Sequence, residues 1–247
     1  MIRVRGLRKQ YPGGTVALDG VDLDITEGER VALIGPSGAG KSTLLRCLNG
    51  FVPPTDGEIR VGGANVTGAT GERLRLIRAG IGFVFQQFNL QRRLSVLENV
   101  LIGGLARAPR LRSLLGLFPA TDTLRARAAL DRVGLGGLDD RRVDTLSGGQ
   151  QQRVAIARVL VQEPRVILAD EPMASLDPAL SESILALLQR ISDEDGITVV
   201  TSLHVLDLAR RYSRRVIGLR GGRVAYDGSP EGLTEAAAQR IFAAAST

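Results

Sequence analysis

Residues 35–43 read Gly35-Pro36-Ser37-Gly38-Ala39-Gly40-Lys41-Ser42-Thr43 and match the pattern G-x-x-x-x-G-K-[ST]. They stand between an apolar run that ends at residue 34 and a helical pattern that begins near residue 42, which is the context this pattern requires. The glycines let the backbone turn its N–H groups inward, and these donors hold phosphates together with the start of the helix. The stretch therefore predicts a triphosphate-binding loop in which residues 35–43 contact the nucleotide.

Lys41 and Ser42 near the end of the loop supply its charge and its metal ligand. The Lys41 ammonium is expected to reach the β- and γ-phosphates, and the Ser42 hydroxyl is expected to ligate Mg²⁺. Lys9 and Lys41 are the only lysines among 32 Lys and Arg residues, so lysine at position 41 stands out against an arginine background. A compact ammonium is therefore favoured over a planar guanidinium at this position.

Short β-rich apolar runs alternate with helical patterns along the chain, which predicts an α/β fold. Residues 31–34 and 166–169 are apolar throughout, as expected of strands covered on both faces. Strands are predicted at 2–7, 21–25, 30–34, 58–61, 81–85, 166–169, 198–202, 216–219 and 224–226. Helices are predicted at 42–49, 72–79, 124–133, 149–162, 179–192 and 205–211. Strand patterns stop between 88 and 163, which predicts an inserted helical lobe.

The composition permits a large core and argues against several classes of protein. Of the 247 residues 44% are hydrophobic, enough for one large domain or for a domain with an inserted lobe. No run approaches the roughly 18 apolar residues of a membrane span, and the single cysteine, Cys47, favours a reducing compartment. The net charge of +6 comes from scattered arginines, which indicates compositional bias more than a nucleic-acid surface.

A second motif, Asp170-Glu171, follows the apolar run 166–169. The carboxyl end of such a strand is where open α/β sheets bind ligands. Because a hard cation prefers oxygen, Asp170 is expected to hold Mg²⁺ directly or through water. Glu171 is then placed to polarise the attacking water as a general base. The motif predicts metal binding and hydrolysis beside the phosphate-binding loop.

The stretch Leu146-Ser147-Gly148-Gly149-Gln150 opens a predicted helix with a second anion-binding start. Ser147 is a good N-cap, and the glycines leave the first N–H groups uncovered. One triphosphate needs one such cradle, and the two helix starts lie far apart in the sequence. The economical hypothesis is that residues 147–150 close on the γ-phosphate held by another copy of the chain. The alternative is a well-capped helix without a ligand.

The sequence resembles the ATP-binding-cassette (ABC) ATPases over nearly the whole chain. Three motifs carry the resemblance: residues 35–43, Leu146-Ser-Gly-Gly-Gln150, and Asp170-Glu171 followed by Ser175-Leu-Asp177. The resemblance implies a single ABC ATPase domain over 1–247. Its RecA-like core sheet and antiparallel β subdomain would occupy 1–87 and 164–247, and a helical subdomain 88–163. It also implies ATP and Mg²⁺ as ligands, in a head-to-tail homodimer with each ATP between Lys41 of one chain and residues 147–150 of the other.

Four more residues match positions that have roles in that family. Tyr11 resembles the aromatic residue that stacks on adenine. Gln86 resembles the glutamine that touches Mg²⁺ or water and senses the transporter, and Gln87 beside it leaves the register open. Asp177 resembles the aspartate that crosses the dimer interface. His204, the only histidine, resembles the histidine that contacts the γ-phosphate. The alternative for Tyr11 and for His204 is a purely structural side chain.

The sequence resembles transport cassettes more than ABC ATPases that act on DNA or on the ribosome. The DNA-acting forms insert long coiled coils into the helical lobe, and the ribosome-acting forms carry two cassettes; this sequence has neither feature. A single cassette without membrane spans implies separate transmembrane permease subunits, as in bacterial importers, and a periplasmic or lipid-anchored solute-binding protein as an indirect partner. The implied location is peripheral, at the cytoplasmic face of the cell inner membrane.

The strings Phe83-Val-Phe-Gln-Gln-Phe-Asn-Leu90 and Ser202-Leu-His204 resemble the ATP-binding subunits of phosphonate importers. None of these residues contacts a solute, so phosphonate is a family association and not a physical inference. Phosphate, phosphite or another oxyanion remains an alternative, as does a polar amino acid. A nucleic-acid-directed ATPase is a weaker alternative that the basic composition keeps open.

Apolar side chains after Gln86 are candidates for contact with a permease. They are Phe88, Leu90 and Leu94, in the stretch expected to border a groove for a cytoplasmic helix of the permease. The alternative is that these side chains pack the helical lobe.

Overall fold

The computed structural model describes residues 1–105, 118–174 and 176–242, which form two β-sheets flanked by helices. The α/β prediction is confirmed. The strands are β1 (Ile2–Gln10), β2 (Val16–Ile25), β3 (Arg30–Ile34), β4 (Asp56–Val61), β5 (Ala64–Asn65), β6 (Ile81–Val84), β7 (Val166–Ala169), β8 (Thr198–Leu203), β9 (Arg215–Arg220) and β10 (Arg223–Gly228). Ser175, part of the predicted Ser175-Leu-Asp177 motif, lies outside the described residues.

The larger sheet has the strand order β10-β9-β3-β8-β7-β6, in which β10 runs antiparallel to β9 and the other neighbours are parallel. Both of its faces are covered: Val31 and Leu33 of β3 join one buried cluster, and Ala32 and Ile34 join another. The prediction that the apolar run 31–34 is a strand covered on both faces is therefore confirmed. The parallel order brings the carboxyl ends of β3, β8 and β7 to one edge.

The smaller sheet is antiparallel, with the order β2-β1-β4-β5. Its strands β1 and β2 are longer than predicted because register shifts interrupt the simple alternation that marks a strand in sequence. The two-residue strand β5 is too short to leave such a pattern. Buried side chains of both sheets, among them Val4 and Leu33, form one core cluster with Leu45 of helix α1 (Lys41–Leu48).

The other helices are α2 (Gly71–Ala79), α3 (Val96–Gly104), α4 (Ala120–Arg132), α5 (Gly148–Leu160), α6 (Pro178–Asp195), α7 (Leu206–Tyr212) and α8 (Glu235–Phe242), with a 3₁₀ turn at Val143–Thr145. All the predicted helices are present with shifted ends. Helices α3, α4 and α5 pack on one another and bury a cluster that continues to one face of β7. Within the described ranges, no helix is both long and apolar enough to cross a bilayer.

Helix α3 is missed by the sequence analysis because its β-branched residues and paired glycines are poor helix formers. A local signal stood at its start. Ser95 Oγ accepts a hydrogen bond from the Glu98 N–H (3.2 Å), and Glu98 Oε2 accepts one from the Ser95 N–H (2.7 Å), which forms a capping box. Packing of Val96 and Val100 in the helical cluster then fixes the helix.

Candidate active site

Residues 35–43 connect β3 to α1, and three glycines shape this loop. Gly35, Gly38 and Gly40 have positive φ of 150°, 78° and 103°. A Cβ at position 35 would overlap the backbone carbonyl oxygen of Leu219, and a Cβ at 40 would overlap that of Ala17. A Cβ at 38 would meet nothing within 4 Å. Conformation therefore requires glycine at all three positions, and close packing requires it again at 35 and 40.

Lys41 is almost fully buried at the first position of α1. Its Nζ donates hydrogen bonds to the carbonyl oxygens of Gly35 (2.8 Å) and Pro36 (3.0 Å). Burial lowers the pKa of Lys41, and the nearby carboxylates of Glu171 and Asp170 oppose that change. Because the start of α1 has no side-chain cap, its first N–H groups and the ammonium form a positive site that fits an anion.

Asp170 lies at the end of β7, beside the loop. Its Oδ1 accepts hydrogen bonds from Ser42 Oγ (2.7 Å) and Ser202 Oγ (3.2 Å), and its Oδ2 lies 3.6 Å from the Arg46 guanidinium. The carboxylate is 2% exposed, so these partners satisfy a buried charge. The Ser42 hydroxyl and the Asp170 carboxylate form an adjacent pair of oxygen donors of the kind that Mg²⁺ prefers.

Glu171 and His204 form a hydrogen-bonded pair next to this cluster. Glu171 Oε1 lies 2.6 Å from His204 Nε2, and the Glu171 N–H donates to Ser202 Oγ (2.8 Å). The Glu171 backbone has φ of 48°, a left-handed conformation that a non-glycine residue keeps only where its surroundings hold it. The His204 side chain is 45% exposed and the Glu171 side chain 21%, so the pair faces solvent.

Tyr11 and Gln86 lie at the borders of the cluster. The Tyr11 hydroxyl lies 3.4 Å from Thr43 Oγ1, which puts the ring beside the end of the phosphate-binding loop, and Lys9 Nζ lies 5.2 Å from the ring centre. Gln86 and Gln87 both lie exposed in the turn after β6. Because both are exposed, the structure does not distinguish which of the two matches the glutamine predicted at the metal site.

Residues 147–150 begin α5 as predicted, with Ser147 as N-cap. Ser147 Oγ accepts from the Gln150 N–H (3.3 Å), and Gln150 Oε1 accepts from the Ser147 N–H (3.0 Å). Gly148 packs close to Leu176, and Gly149 packs close to Leu180. In the chain as described, no hydrogen bond or ion pair joins residues 147–150 to the loop at 35–43. Within one copy, the polar contacts described for this helix start are therefore local ones.

Asp177 has a local structural task of its own. Its Oδ1 accepts a hydrogen bond from the Leu180 N–H (3.0 Å), so it is the N-cap of α6.

Leu90 packs, partly buried, against the cluster of α3, α4 and α5, which favours a packing role over a permease contact.

The structure brings together residues 35–43, Asp170, Glu171 and His204, and among the described residues it shows no hydrogen bond from 147–150 to the loop at 35–43. Ser202 and Arg46 are further neighbours of Asp170, and neither was predicted from the sequence. The signal for Ser202 lies in the pairing of β7 with β8, where Ala169 stands opposite Thr201, so the next residue of each strand meets its counterpart. Arg46 is hidden among the many arginines, although it lies one helical turn after Ser42 on α1.

Comparison with known proteins agrees with this geometry. A family model described as ABC transporter matches residues 18–174. The phosphonates import ATP-binding protein PhnC of Thiobacillus denitrificans is 52% identical over 241 residues, covering 98% of this chain and 92% of that protein. The phosphate-import ATP-binding protein PhnC of Mycolicibacterium smegmatis is 52% identical over 236 residues, covering 95% and 89%.

A solved structure supports the same assignment. The dimeric post-hydrolysis state of the ATP-binding cassette MJ0796, bound to ADP and Pi, has a TM-score of 0.82 and 38% identity, covering 93% of this chain and 99% of that one. The resemblance first seen in three short motifs thus extends over the fold and over almost the full length. The chain belongs to the ABC transporter family of ATP-binding cassettes.

Proposed function

We propose that this chain is the ATP-binding subunit of a bacterial importer, in which two copies hydrolyse ATP to drive uptake of a phosphonate or a related phosphorus oxyanion. The observation that carries the proposal is the hydrogen bond from Ser42 to Asp170 beside buried Lys41, with Glu171 and His204 paired next to them. The cluster supplies a cation for phosphate, a pair of metal ligands and a base at the ligand-binding edge of the parallel sheet.

Residues 35–43 bind the triphosphate. Lys41 exchanges its two carbonyl partners, at Gly35 and Pro36, for β- and γ-phosphate oxygens. Because Gly38 has no side chain and open space lies beside it, the phosphates have room to approach the backbone. Tyr11 stacks on the adenine, which its place beside Thr43 supports.

Mg²⁺ fits the donors that the chain offers here. Ser42 and Asp170 would hold the ion, with Gln86 as a further oxygen ligand. These are hard oxygen donors of the kind that Mg²⁺ prefers, and phosphate oxygens and water would supply its remaining ligands. When bound, the ion neutralises charge on the phosphates.

Glu171 accepts a proton from the water that attacks the γ-phosphorus, while the bond from that phosphorus to the bridging oxygen of ADP breaks. His204 engages Oε1 of Glu171, so the second carboxylate oxygen is left for the water. His204 also contacts the γ-phosphate. Positioning and charge stabilisation, more than covalent chemistry, account for catalysis of phosphoryl transfer.

Residues 147–150 complete the site of a second copy. The lack of any described hydrogen bond from these residues to the loop at 35–43, together with the place of Gly148 and Gly149 in the first turn of α5, supports a γ-phosphate contact in trans. In this arrangement Asp177, the N-cap of α6, lies at the interface between the copies. ATP closes the dimer, and hydrolysis lets it open.

The chain divides into a core of residues 1–87 and 164–247 and a helical subdomain of residues 88–163. A cleft of about 430 Å³ lies at their border. Its aromatic part is Phe51, Phe83 and Phe85, with ring centres 4.5–5.8 Å apart, and we call it the aromatic cleft. Phe51 is 43% exposed and also contacts the Arg78 guanidinium, 4.8 Å from its ring centre.

The occupant of the aromatic cleft is a cytoplasmic segment of the permease. An importer requires such a partner, and the exposed ring of Phe51 offers it an apolar contact. Replacing Phe51 by Ser should abolish assembly with the permease while ATP affinity stays within about twofold, because Phe51 does not touch the cluster. Leu124→Ser, at a 64% exposed leucine of α4, is the matched control. Loss of assembly in both variants, or in neither, contradicts this assignment.

The solute is a phosphorus oxyanion. Two relatives support this class, because one is named for the import of phosphonates and the other for the import of phosphate. Permease and solute-binding protein select it, since none of the clustered residues here can reach it. The subunit then works at the cytoplasmic face of the cell inner membrane, held there by the permease.

The test is solute-stimulated ATP hydrolysis by the complete complex of this chain, its permease and the binding protein in lipid vesicles. Methylphosphonate, phosphite, phosphate and glutamine are supplied separately. Stimulation by one of the phosphorus compounds is expected. Stimulation by glutamine alone would mean that the solute is a polar amino acid. Double-stranded DNA is added in a separate reaction, and stimulation by DNA but by none of the solutes overturns the transport function.

A further inference from the structure

We propose that Arg158, in the second half of α5, is a positioning residue that clamps the turn after β6 and links it to the helix that starts at Ser147. The turn, residues 86–89, is called the Gln loop from here on. The inference rests on the proposed role of Gln86 at the metal site, and it names a residue through which that role is controlled.

The guanidinium of Arg158 holds two consecutive carbonyl oxygens of the Gln loop. Nη2 donates to Phe88 O (3.0 Å) and Nη1 donates to Asn89 O (2.7 Å). A planar fork with two parallel donors fits this pair, and a lysine ammonium could not reproduce both bonds in the same geometry. The clamp therefore fixes the direction of both peptide groups.

The clamped residues have a backbone that needs support. Phe88 and Asn89 have φ of 47° and 52°, two successive non-glycine residues in the left-handed region. Such a conformation is uncommon for Asn and an outlier for a bulky aromatic residue, and it persists where the surroundings determine it. Arg158 provides that determination, and Gln86 lies two residues before the clamped segment.

Among the residues that the structure describes, no carboxylate competes for the donors of Arg158. In the described part of the chain it forms no ion pair, and burial lowers its pKa with no acidic group opposing the change. A partly desolvated cation makes strong hydrogen bonds to carbonyl oxygens. Its donors are therefore directed to the Gln loop.

The backbone of Arg158 is also held by close contact with α3. A Cβ added at Gly103 would overlap the Arg158 carbonyl oxygen, so α3 and α5 touch closely at this point. The residue thus connects a rigid helix crossing to the Gln loop. Because α5 begins at Ser147, a movement of the Gln loop is transmitted to the end of α5 proposed to close on the second nucleotide.

Arg158 and Asn89 also line the aromatic cleft, together with Phe85, Ile102 and Gly103. A segment seated in the cleft would press on the clamp and on the Gln loop at the same time. We infer that binding of a segment in the aromatic cleft shifts Arg158, and that this shift changes the position of Gln86.

The test compares Arg158→Lys with Arg153→Lys in the full chain. Arg153 is a matched control because it also lies on α5 and its Nη1 donates to a backbone carbonyl, Val133 O (2.6 Å), away from the Gln loop. Steady-state ATP hydrolysis is measured for both, with and without Gln86→Ala. We expect Arg158→Lys to lower kcat about tenfold with KM for ATP changed less than about twofold, and to cause no further loss beside Gln86→Ala. Arg153→Lys should leave kcat within about twofold.

Three results overturn the inference: equal losses for the two arginine variants, an undiminished tenfold loss in the Gln86→Ala background, or a loss in KM alone. Amide hydrogen exchange is a second measurement that does not need turnover. Exchange in residues 86–90 should be about tenfold faster in Arg158→Lys, with α1 unchanged. Unchanged exchange in the Gln loop, or equal acceleration in α1, contradicts the clamp. If the loop loosens while Gln86→Ala hydrolyses ATP normally, the clamp stands and the proposed role of Gln86 falls.

Discussion

His204 Nε2 and Glu171 Oε1 lie 2.6 Å apart across the ends of the adjacent strands β8 and β7. Ser202 joins the same strand ends again by accepting a hydrogen bond from the Glu171 N–H. Glu171 is therefore held at its backbone and at its carboxylate by residues of one neighbouring strand. A base whose orientation is already fixed needs little reorganisation when water arrives, and this favours catalysis.

Replacing Glu171 by Gln keeps the side-chain shape and removes the base. We expect kcat for ATP hydrolysis to fall by about 10²–10⁴-fold, while ATP affinity changes by less than about threefold. Single-turnover hydrolysis and equilibrium binding of labelled ATP measure the two effects. Glu58→Gln, at a carboxylate of β4 away from the site, should behave as the wild-type chain. Near-normal turnover in Glu171→Gln removes Glu171 as the base.

Replacing His204 by Ala should lower kcat by about 10–100-fold, because the imidazole contacts Glu171 Oε1 and is proposed to contact the γ-phosphate as well. Part of this loss passes through Glu171, so the two substitutions should not be additive. We expect His204→Ala to cost less in a Glu171→Gln background than in the wild-type chain, as measured by a double-mutant cycle. Fully additive losses would mean that the 2.6 Å contact has no catalytic effect.

Gly38 and Gly40 should respond differently to alanine. Gly40→Ala forces a Cβ onto the Ala17 carbonyl oxygen and should destabilise the fold by roughly 2–5 kcal/mol, from strained φ and overlap together. Gly38→Ala has open space and should destabilise it by only about 1–2 kcal/mol, yet weaken ATP binding more than tenfold. Urea unfolding and ATP titration check both. Equal loss of stability in the two variants contradicts the packing argument.

Cys47 gives the stability a measurable pH dependence. Burial raises the pKa of its thiol from 9.0 to about 11. The thiol of the unfolded chain ionises at a lower pH than the buried thiol. This difference does not change the free energy of unfolding below pH 9, and it lowers that free energy as the pH rises from 9 to 11. At about pH 10.5 the loss should be about 2 kcal/mol. Urea unfolding at pH 8 and 10.5 should show a smaller alkaline loss in Cys47→Ala than in the wild-type chain, and equal losses contradict the burial argument.

The parts of the site that could be predicted from sequence are those whose signal is local. The loop at 35–43 is fixed by glycines a few residues apart, and Ser147 is an N-cap whose partner Gln150 follows on the same helix turn. The apolar strands 31–34 and 166–169 are readable because burial on both faces removes the alternation of polar residues. Such features need no knowledge of what packs against them.

The parts that could not be predicted depend on pairing between distant segments. Ser202 reaches Asp170 and Glu171 through the register of β8 against β7, which no pattern in either strand reveals. Arg158 reaches the Gln loop across an α5 surface that only the packing of α3 and α5 defines. In a chain rich in arginine, residue type gives no hint of which arginine does this.

The central claim is that the loop of one copy and residues 147–150 of another enclose a shared ATP. The most direct measurement is the mass in solution of the Glu171→Gln chain, by sedimentation, with and without saturating Mg-ATP. The account predicts a shift from 26.3 kDa to twice that value on adding nucleotide, and no shift when Ser147→Arg is introduced as well. A chain that binds Mg-ATP and still sediments at 26.3 kDa, or one that dimerises equally with Ser147→Arg, contradicts it.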